Sequence, residues 1–259
     1  MIAMKETLIR VKKHTKLKKP VLIVGLPGIG SVGKLVAEHL IKAFDAERIA
    51  TLYSPSFPYQ VIMRKNGMVR FVDNRFYVIR RKGAKSDIVI LTGDTQAVTP
   101  EGQYDVNHRV VNFFRDVLGG SFIYTLGGYS TPGAVNHNPE VYANATSRKV
   151  INMFKDSGLV FGKSKGSILG SAGMIIGFAR MEHMDGICLM GESALLDVDP
   201  YAAKAVLMFL AKHLDLDINT SNLDTMIQKT AKALKELEQQ VPAEMQGPIG
   251  DDKPPSYIR

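Results

Sequence analysis

Four short apolar runs, each closing on glycine, constrain this chain more than any other feature: VLIVG (21–25), IVILTG (88–93), FIYTLG (122–127) and ICLMG (187–191). Runs that stay apolar without alternating are strands buried on both faces, as in a parallel sheet covered by helices. The intervening segments supply those helices. Residues 31–44 carry Leu35, Val36, Leu40 and Phe44 on one stripe, and residues 103–118 place Val106, Val110, Phe113, Phe114 and Val117 at helical spacing. Residues 199–214 open on Asp199-Pro200, a capping residue followed by proline in the first turn. GSAGMIIGFAR (170–180), with small residues at Gly170, Ala172, Gly173 and Gly177, reads as a helix packed closely on the sheet. The fold class is therefore α/β, a mixed, mostly parallel twisted sheet flanked by helices.

Two regions depart from that pattern. QVIMRKNGMVRFVDNRFYVIRR (60–81) alternates like an antiparallel meander; Asn66-Gly67 suggests a two-residue hairpin turn with positive φ at both positions, and Asp73-Asn74 a second turn. It reads as an antiparallel hairpin extension of the sheet. In residues 222–241 the seam Leu223, Ile227, Thr230, Leu234, Leu237, Val241 steps by four and three, which fits a helix on its own core or an inter-subunit helix. Leu223, Ile227, Leu234 and Leu237 are the candidate oligomer contacts. Residues 242–259, rich in Pro, Gly and charge, are expected to form a flexible tail beyond one α/β domain spanning residues 1–241.

The chemistry-bearing motifs each meet a plainer reading. In GLPGIGSVGK (25–34), Gly28, Gly30 and Gly33 match the dinucleotide-binding G-x-G-x-x-G between a strand and a helix. However, Leu35 stands where a phosphate loop needs Ser or Thr, and ERIATLYS (47–54) ends without the acid that would hold a ribose. The alternative is that these glycines permit a tight turn and close packing. Ligands of open α/β sheets collect at the strand carboxyl ends. There, Asp94 and Glu192 are candidates for a general acid and base, or for caps of the next helix. No histidine pair has metal-ligand spacing, Ser193 lacks a nucleophile elbow, and Cys188, alone of its kind, sits inside an apolar run. No metal site and no cofactor are expected.

A single cysteine fits a reducing compartment. No apolar run approaches the roughly 20 residues that span a bilayer, so a cytoplasmic protein without a membrane partner is expected. The net charge of +8 concentrates in residues 1–20 and 64–85. Neither stretch has the aromatic interleaving of a single-strand binder, so a nucleic-acid partner ranks last.

Several segments together resemble the proteasome assembly chaperone 2 family in its archaeal form. They are VLIVGLPGIGSVGKLVAEHLI (21–41), GDTQ (93–96) with EGQYDVNHRVVNF after it, YTLGGYSTPG (124–133), GSILGSAGMIIGFARMEHMDGICLMGES (166–193) and DPYAAKAVLMFLAKHLDLDI (199–218). The resemblance runs in order across roughly residues 17–240. It implies a fold like that of nucleoside phosphorylases and a non-enzymatic chaperone or adaptor whose partners are proteasome α subunits and copies of itself. It also implies docking on the α-ring through a C-terminal tail ending in a hydrophobic residue, a tyrosine and any final residue. Here the end is Tyr257, Ile258, Arg259, so the tyrosine stands third from last rather than second. Those three residues are the candidate partner-binding set. A nucleotide- or nucleoside-acting enzyme using Gly28, Gly30, Gly33, Asp94 and Glu192 is the alternative.

Overall fold

The structure is a computed structural model that describes residues 5–13, 16–131, 135–163, 166–194 and 196–240, the side chains at 234, 235 and 237–240 excepted. The chain runs β1 (Leu8–Val11), β2 (Val21–Val24), α1 (Val32–Ala43), β3 (Glu47–Tyr53), β4 (Val61–Met63), β5 (Val69–Phe71) and β6 (Asn74–Ile79). It continues with β7 (Ile88–Gly93), α2 (Pro100–Asn112), β8 (Phe122–Ser130), β9 (Val141–Ala145), α3 (Arg148–Phe154), β10 (Val160–Phe161), α4 (Ser171–Met181), β11 (Asp185–Ser193), α5 (Pro200–Leu214) and α6 (Ser221–Gln240). Nine strands form one mixed sheet in the order β1-β3-β6-β7-β2-β8-β11-β9-β10, and β4 and β5 form a separate pair.

The four glycine-closed runs are the adjacent central strands β7, β2, β8 and β11, mutually parallel, so their carboxyl ends share one edge. Antiparallel pairings flank them: β7 with β6, β6 with β3, β3 with β1, and β11 with β9. Neighbouring residues of the central strands feed opposite cores. Val21 and Ile23 pack under α1, α3, α5 and α6, whereas Leu22 and Val24 pack under α2 and α4. That two-sided burial is why the runs are unbroken by polar residues. Cys188 is fully buried within β11, and burial pushes its thiol up to about 11. No described helix is long and apolar enough to cross a membrane.

Local signals account for most element ends. Asp199 caps α5 by accepting from the Ala202 amide at 3.0 Å, with Pro200 in the first turn. Helix α2 starts earlier than its apolar spacing indicates. Thr99 Oγ1 accepts from the Gly102 amide at 3.1 Å, and Pro100 follows in the first turn. The same helix ends in a π turn, Phe113–Val117. The wider turn rotates the following residues off the stripe, so Val117, expected in the core, is 52% exposed.

The meander needs a second correction. Gly67 has a φ of +79°, but Asn66 does not adopt positive φ. The Gly67 amide bonds the Arg64 carbonyl at 3.0 Å and the Arg64 amide bonds the Met68 carbonyl at 2.8 Å, giving a three-residue loop with glycine in the left-handed position. Strands β4 and β5 pair only with each other, while β6 joins the main sheet.

Helix α1 packs on the sheet through Val32, Val36 and Leu40, and at Gly33 its backbone also comes into direct contact with the sheet. A Cβ on Gly33 would lie 2.5 Å from the Leu126 carbonyl oxygen of β8. Replacement by alanine forces the helix off the sheet, so Gly33→Ala is expected to lower the unfolding free energy by about 1–3 kcal/mol in urea titrations. Gly177 on α4 has open space at its Cβ position. Gly177→Ala is expected to leave stability unchanged or raise it by up to about 1 kcal/mol, from helix propensity alone.

Candidate functional site

The shared edge of the four parallel strands gathers the sequence-predicted residues, and their surroundings differ. The loop after β2 is held by close backbone approaches. A Cβ on Gly128 of β8 would meet the Ile29 carbonyl oxygen at 2.5 Å, and Gly30, at φ +59°, abuts Ser193 and Asp199. The Asp199 amide donates to the Gly30 carbonyl at 2.8 Å, while Ser193 Oγ donates to Asp199 Oδ2 at 2.9 Å. Ser193 is therefore a buried tie between the end of β11, the glycine loop and the cap of α5. Gly30 and Gly33 are committed to packing. Gly28 faces Gln96, whose amide nitrogen is the nearest neighbour of its Cβ position, at 3.8 Å.

Gln96, which stood in the sequence only as part of the GDTQ segment, ties the loop after β2 to the start of α4. Its amide nitrogen donates to the Pro27 carbonyl at 2.6 Å, and its Oε1 accepts from the Ser171 amide at the start of α4 at 2.7 Å. Gln103 supports it by donating to the Ala97 carbonyl at 2.7 Å, and Asn107 donates to Gln103 Oε1 at 2.8 Å. A glutamine in the short loop between a buried strand and a capped helix is the sequence signal of this bridge.

Above Gln96 lies a cavity of about 570 Å³ whose walls include Leu26, Gly28, Gly128, Leu169 and Met190. Among its described lining residues none is charged. A phosphate there would meet backbone amides and neutral side chains only.

The two candidate carboxylates are not brought together. Asp94 accepts from both terminal guanidinium nitrogens of Arg70, one of them at 2.9 Å, accepts from the Asp73 amide at 3.0 Å and lies 3.5 Å from Arg75. Burial pushes this carboxyl up, but Arg70, the Asp73 amide and Arg75 outweigh it and leave its pKa lowered. Glu192 Oε2 instead accepts from the Asn136 side chain at 2.7 Å and from the Glu140 amide at 3.2 Å. Strands β7 and β11 are separated by β2 and β8, hence three strand spacings or roughly 14 Å. Neither carboxylate lines the cavity, and no group of His, Cys, Asp and Glu suited to a metal occurs among the described residues.

Four of the eight cations in the basic stretch 64–85, Arg70, Arg75, Arg80 and Arg81, are engaged by the protein itself. Arg75 pairs with Asp73 at 2.6 Å, Arg80 with Glu47 at 2.8 Å, and Arg81 donates to the Asp215 carbonyl at 3.0 Å. In the C-terminal helix, Leu223 is 2% exposed within the core of its own chain, and Ile227 is half-buried. The side chains of Leu234 and Leu237, and all of Tyr257, Ile258 and Arg259, lie outside the described residues.

Arg70 and Asp94 latch the β4–β5 hairpin to the sheet edge. Asp94→Asn is expected to lower the unfolding free energy by about 1.5–3 kcal/mol at pH 7. Because the folded-state value lies below the ordinary 3.8, the stabilisation is present above that pH. It is lost as pH falls through the folded value. Urea titrations at neutral and acid pH should therefore show the wild-type and Asn curves converging only below about pH 4.

The sequence pattern of the PAC2 family matches residues 22–238. The uncharacterized protein MJ1210 of Methanocaldococcus jannaschii is 35% identical over 232 residues, covering 90% of this chain and 86% of that protein. Among solved structures, PbaB of Pyrococcus furiosus, an archaeal proteasome activator, matches at a TM-score of 0.86 and 38% identity, covering 91% of this chain and 100% of its own. PbaA of the same organism, an archaeal homologue of proteasome-assembly chaperone, shares the fold at a TM-score of 0.75 and 23% identity, over 91% and 93% of the two chains. The family match across most of the chain, joined to these identities, places the protein in the PAC2 family.

Proposed function

We propose that this protein is a non-enzymatic proteasome assembly chaperone or activator that binds the proteasome α-ring. The observation that carries the reading is its likeness to PbaB, an archaeal proteasome activator, at 38% identity across 91% of this chain. The sheet edge is consistent with it. The two carboxylates that an enzyme would use there are held by Arg70 and by Asn136, on strands roughly 14 Å apart.

The docking element in this reading is the C-terminal set Tyr257, Ile258 and Arg259, two large apolar residues followed by a cation. Copies carried on one homo-oligomer would engage neighbouring α subunits together, and each bound tail raises the effective concentration of the next. The one-residue displacement of the tyrosine is accommodated if the apolar pair, rather than the ring hydroxyl alone, fills the site.

Native mass spectrometry of the chain mixed with a recombinant archaeal α subunit tests this directly. Removing residues 257–259 is expected to weaken the complex at least tenfold while the mass of the protein's own assembly stays the same. Equal binding by the shortened chain would move the contact to the folded body. Absence of any complex with the full chain would overturn the proteasome reading.

A further inference from the structure

The β4–β5 hairpin is amphipathic in the wrong sense for a surface facing water. The cross-strand pairs are Val61 with Phe71, Ile62 with Arg70, and Met63 with Val69. Successive residues of a strand point to opposite faces, so Ile62 and Arg70 share one face and the other four share the opposite one. The face turned toward the body carries the charge: Arg70 is bound to Asp94, and Ile62 packs on the core beneath α2 and α4. The outward face is apolar throughout. Val61 is 47% exposed, Met63 86%, Val69 61% and Phe71 62%, with Tyr59 and Met68 exposed alongside them.

These six side chains present on the order of 700 Å² of largely apolar surface. Patches on ordinary monomers stay near 300–600 Å², and a standard protein interface takes about 800 Å² from each partner. The backbone agrees. Among the described residues β4 and β5 are bonded only to each other, which leaves each with one unpaired edge, and neither of those short strands contains proline. The latch to Asp94 holds this surface in place.

We propose that this face is where two copies of the chain pack together, hairpin against hairpin and antiparallel about a two-fold axis. The area is that of one side of a stable interface, and an apolar face built from matched cross-strand pairs is complementary to itself. Charge sets the orientation. Arg64 and Lys65 stand exposed at the hairpin tip, so parallel packing would crowd four cations, whereas antiparallel packing sends the tips to opposite ends. This contact depends on neither the C-terminal residues nor the identity of any partner.

The test is sedimentation velocity on the full chain at micromolar concentration, comparing wild type with the double variants Met63→Glu/Phe71→Glu and Met63→Lys/Phe71→Lys. Wild type is expected to form an even-numbered assembly, and each variant alone to show half its mass. Because the altered side chains are exposed, the melting temperature should hold within about 2 °C. Mixing the Glu and Lys variants should restore the wild-type mass, which a merely unfolded hairpin would not do. As a control, Met181→Glu at the exposed end of α4 should leave the mass unchanged. A monomeric wild type, an unchanged mass in both double variants, or a halved mass that mixing does not restore would each overturn the proposal.

Discussion

The architecture depends on how closely backbone approaches backbone where α1 meets the sheet. Gly25, Gly33 and the Leu126 carbonyl form a stack in which no side chain intervenes; a Cβ on Gly25 would lie 2.1 Å from the Gly33 oxygen. Because α1 sits this low, Val32, Val36 and Leu40 reach full burial against the central strands. The preceding loop is drawn over the strand ends, where Gly30 meets Asp199 and thereby fixes the start of α5. A glycine spacing that elsewhere cradles phosphates here has two of its three members committed to packing. The motif and the packing ask for the same residue type for the same reason, the lack of a Cβ.

Polar ties then fasten what the apolar layers leave loose. The Gln96 side chain bridges the loop after β2 and the first amide of α4, so a neutral amide ties the two at the strand ends. Arg70 and Asp94 act in the same way one strand further out, holding the β4–β5 hairpin against β7. Both ties use groups that would otherwise serve as ligands or catalysts. Among its described lining residues the cavity above Gln96 is left without a charge, and the most conspicuous surface becomes the apolar hairpin face.

Much of the fold was legible because burial leaves its mark on every residue of an element. The four apolar runs appear as the adjacent parallel strands, and the stripe of Val36 and Leu40 and the Asp199-Pro200 start appear as read. Less was legible where one residue acts alone. Thr99 moves the start of α2 by a single hydrogen bond, a π turn takes Val117 off its stripe, and Asn66 keeps ordinary φ because the loop has three residues rather than two. The candidate carboxylates were correctly placed at strand ends. Their partners, Arg70 and Asn136, come from segments 24 and 56 residues away in the chain, and no local pattern encodes such pairings.

The sequence by itself determined the composition of the layers: which strands are buried on both faces, which helices cover them, where glycine permits close approach, and which family the chain resembles. These follow from periodicity and residue type, properties each segment carries with it. Only the tertiary structure decided what the polar residues do and which apolar residues remain uncovered. Asp94 as a latch, Ser193 as a tie and Phe71 on an outward face are outcomes of pairing across the fold. A carboxylate takes its role from the charge beside it, and a side chain takes its exposure from the face its strand turns outward.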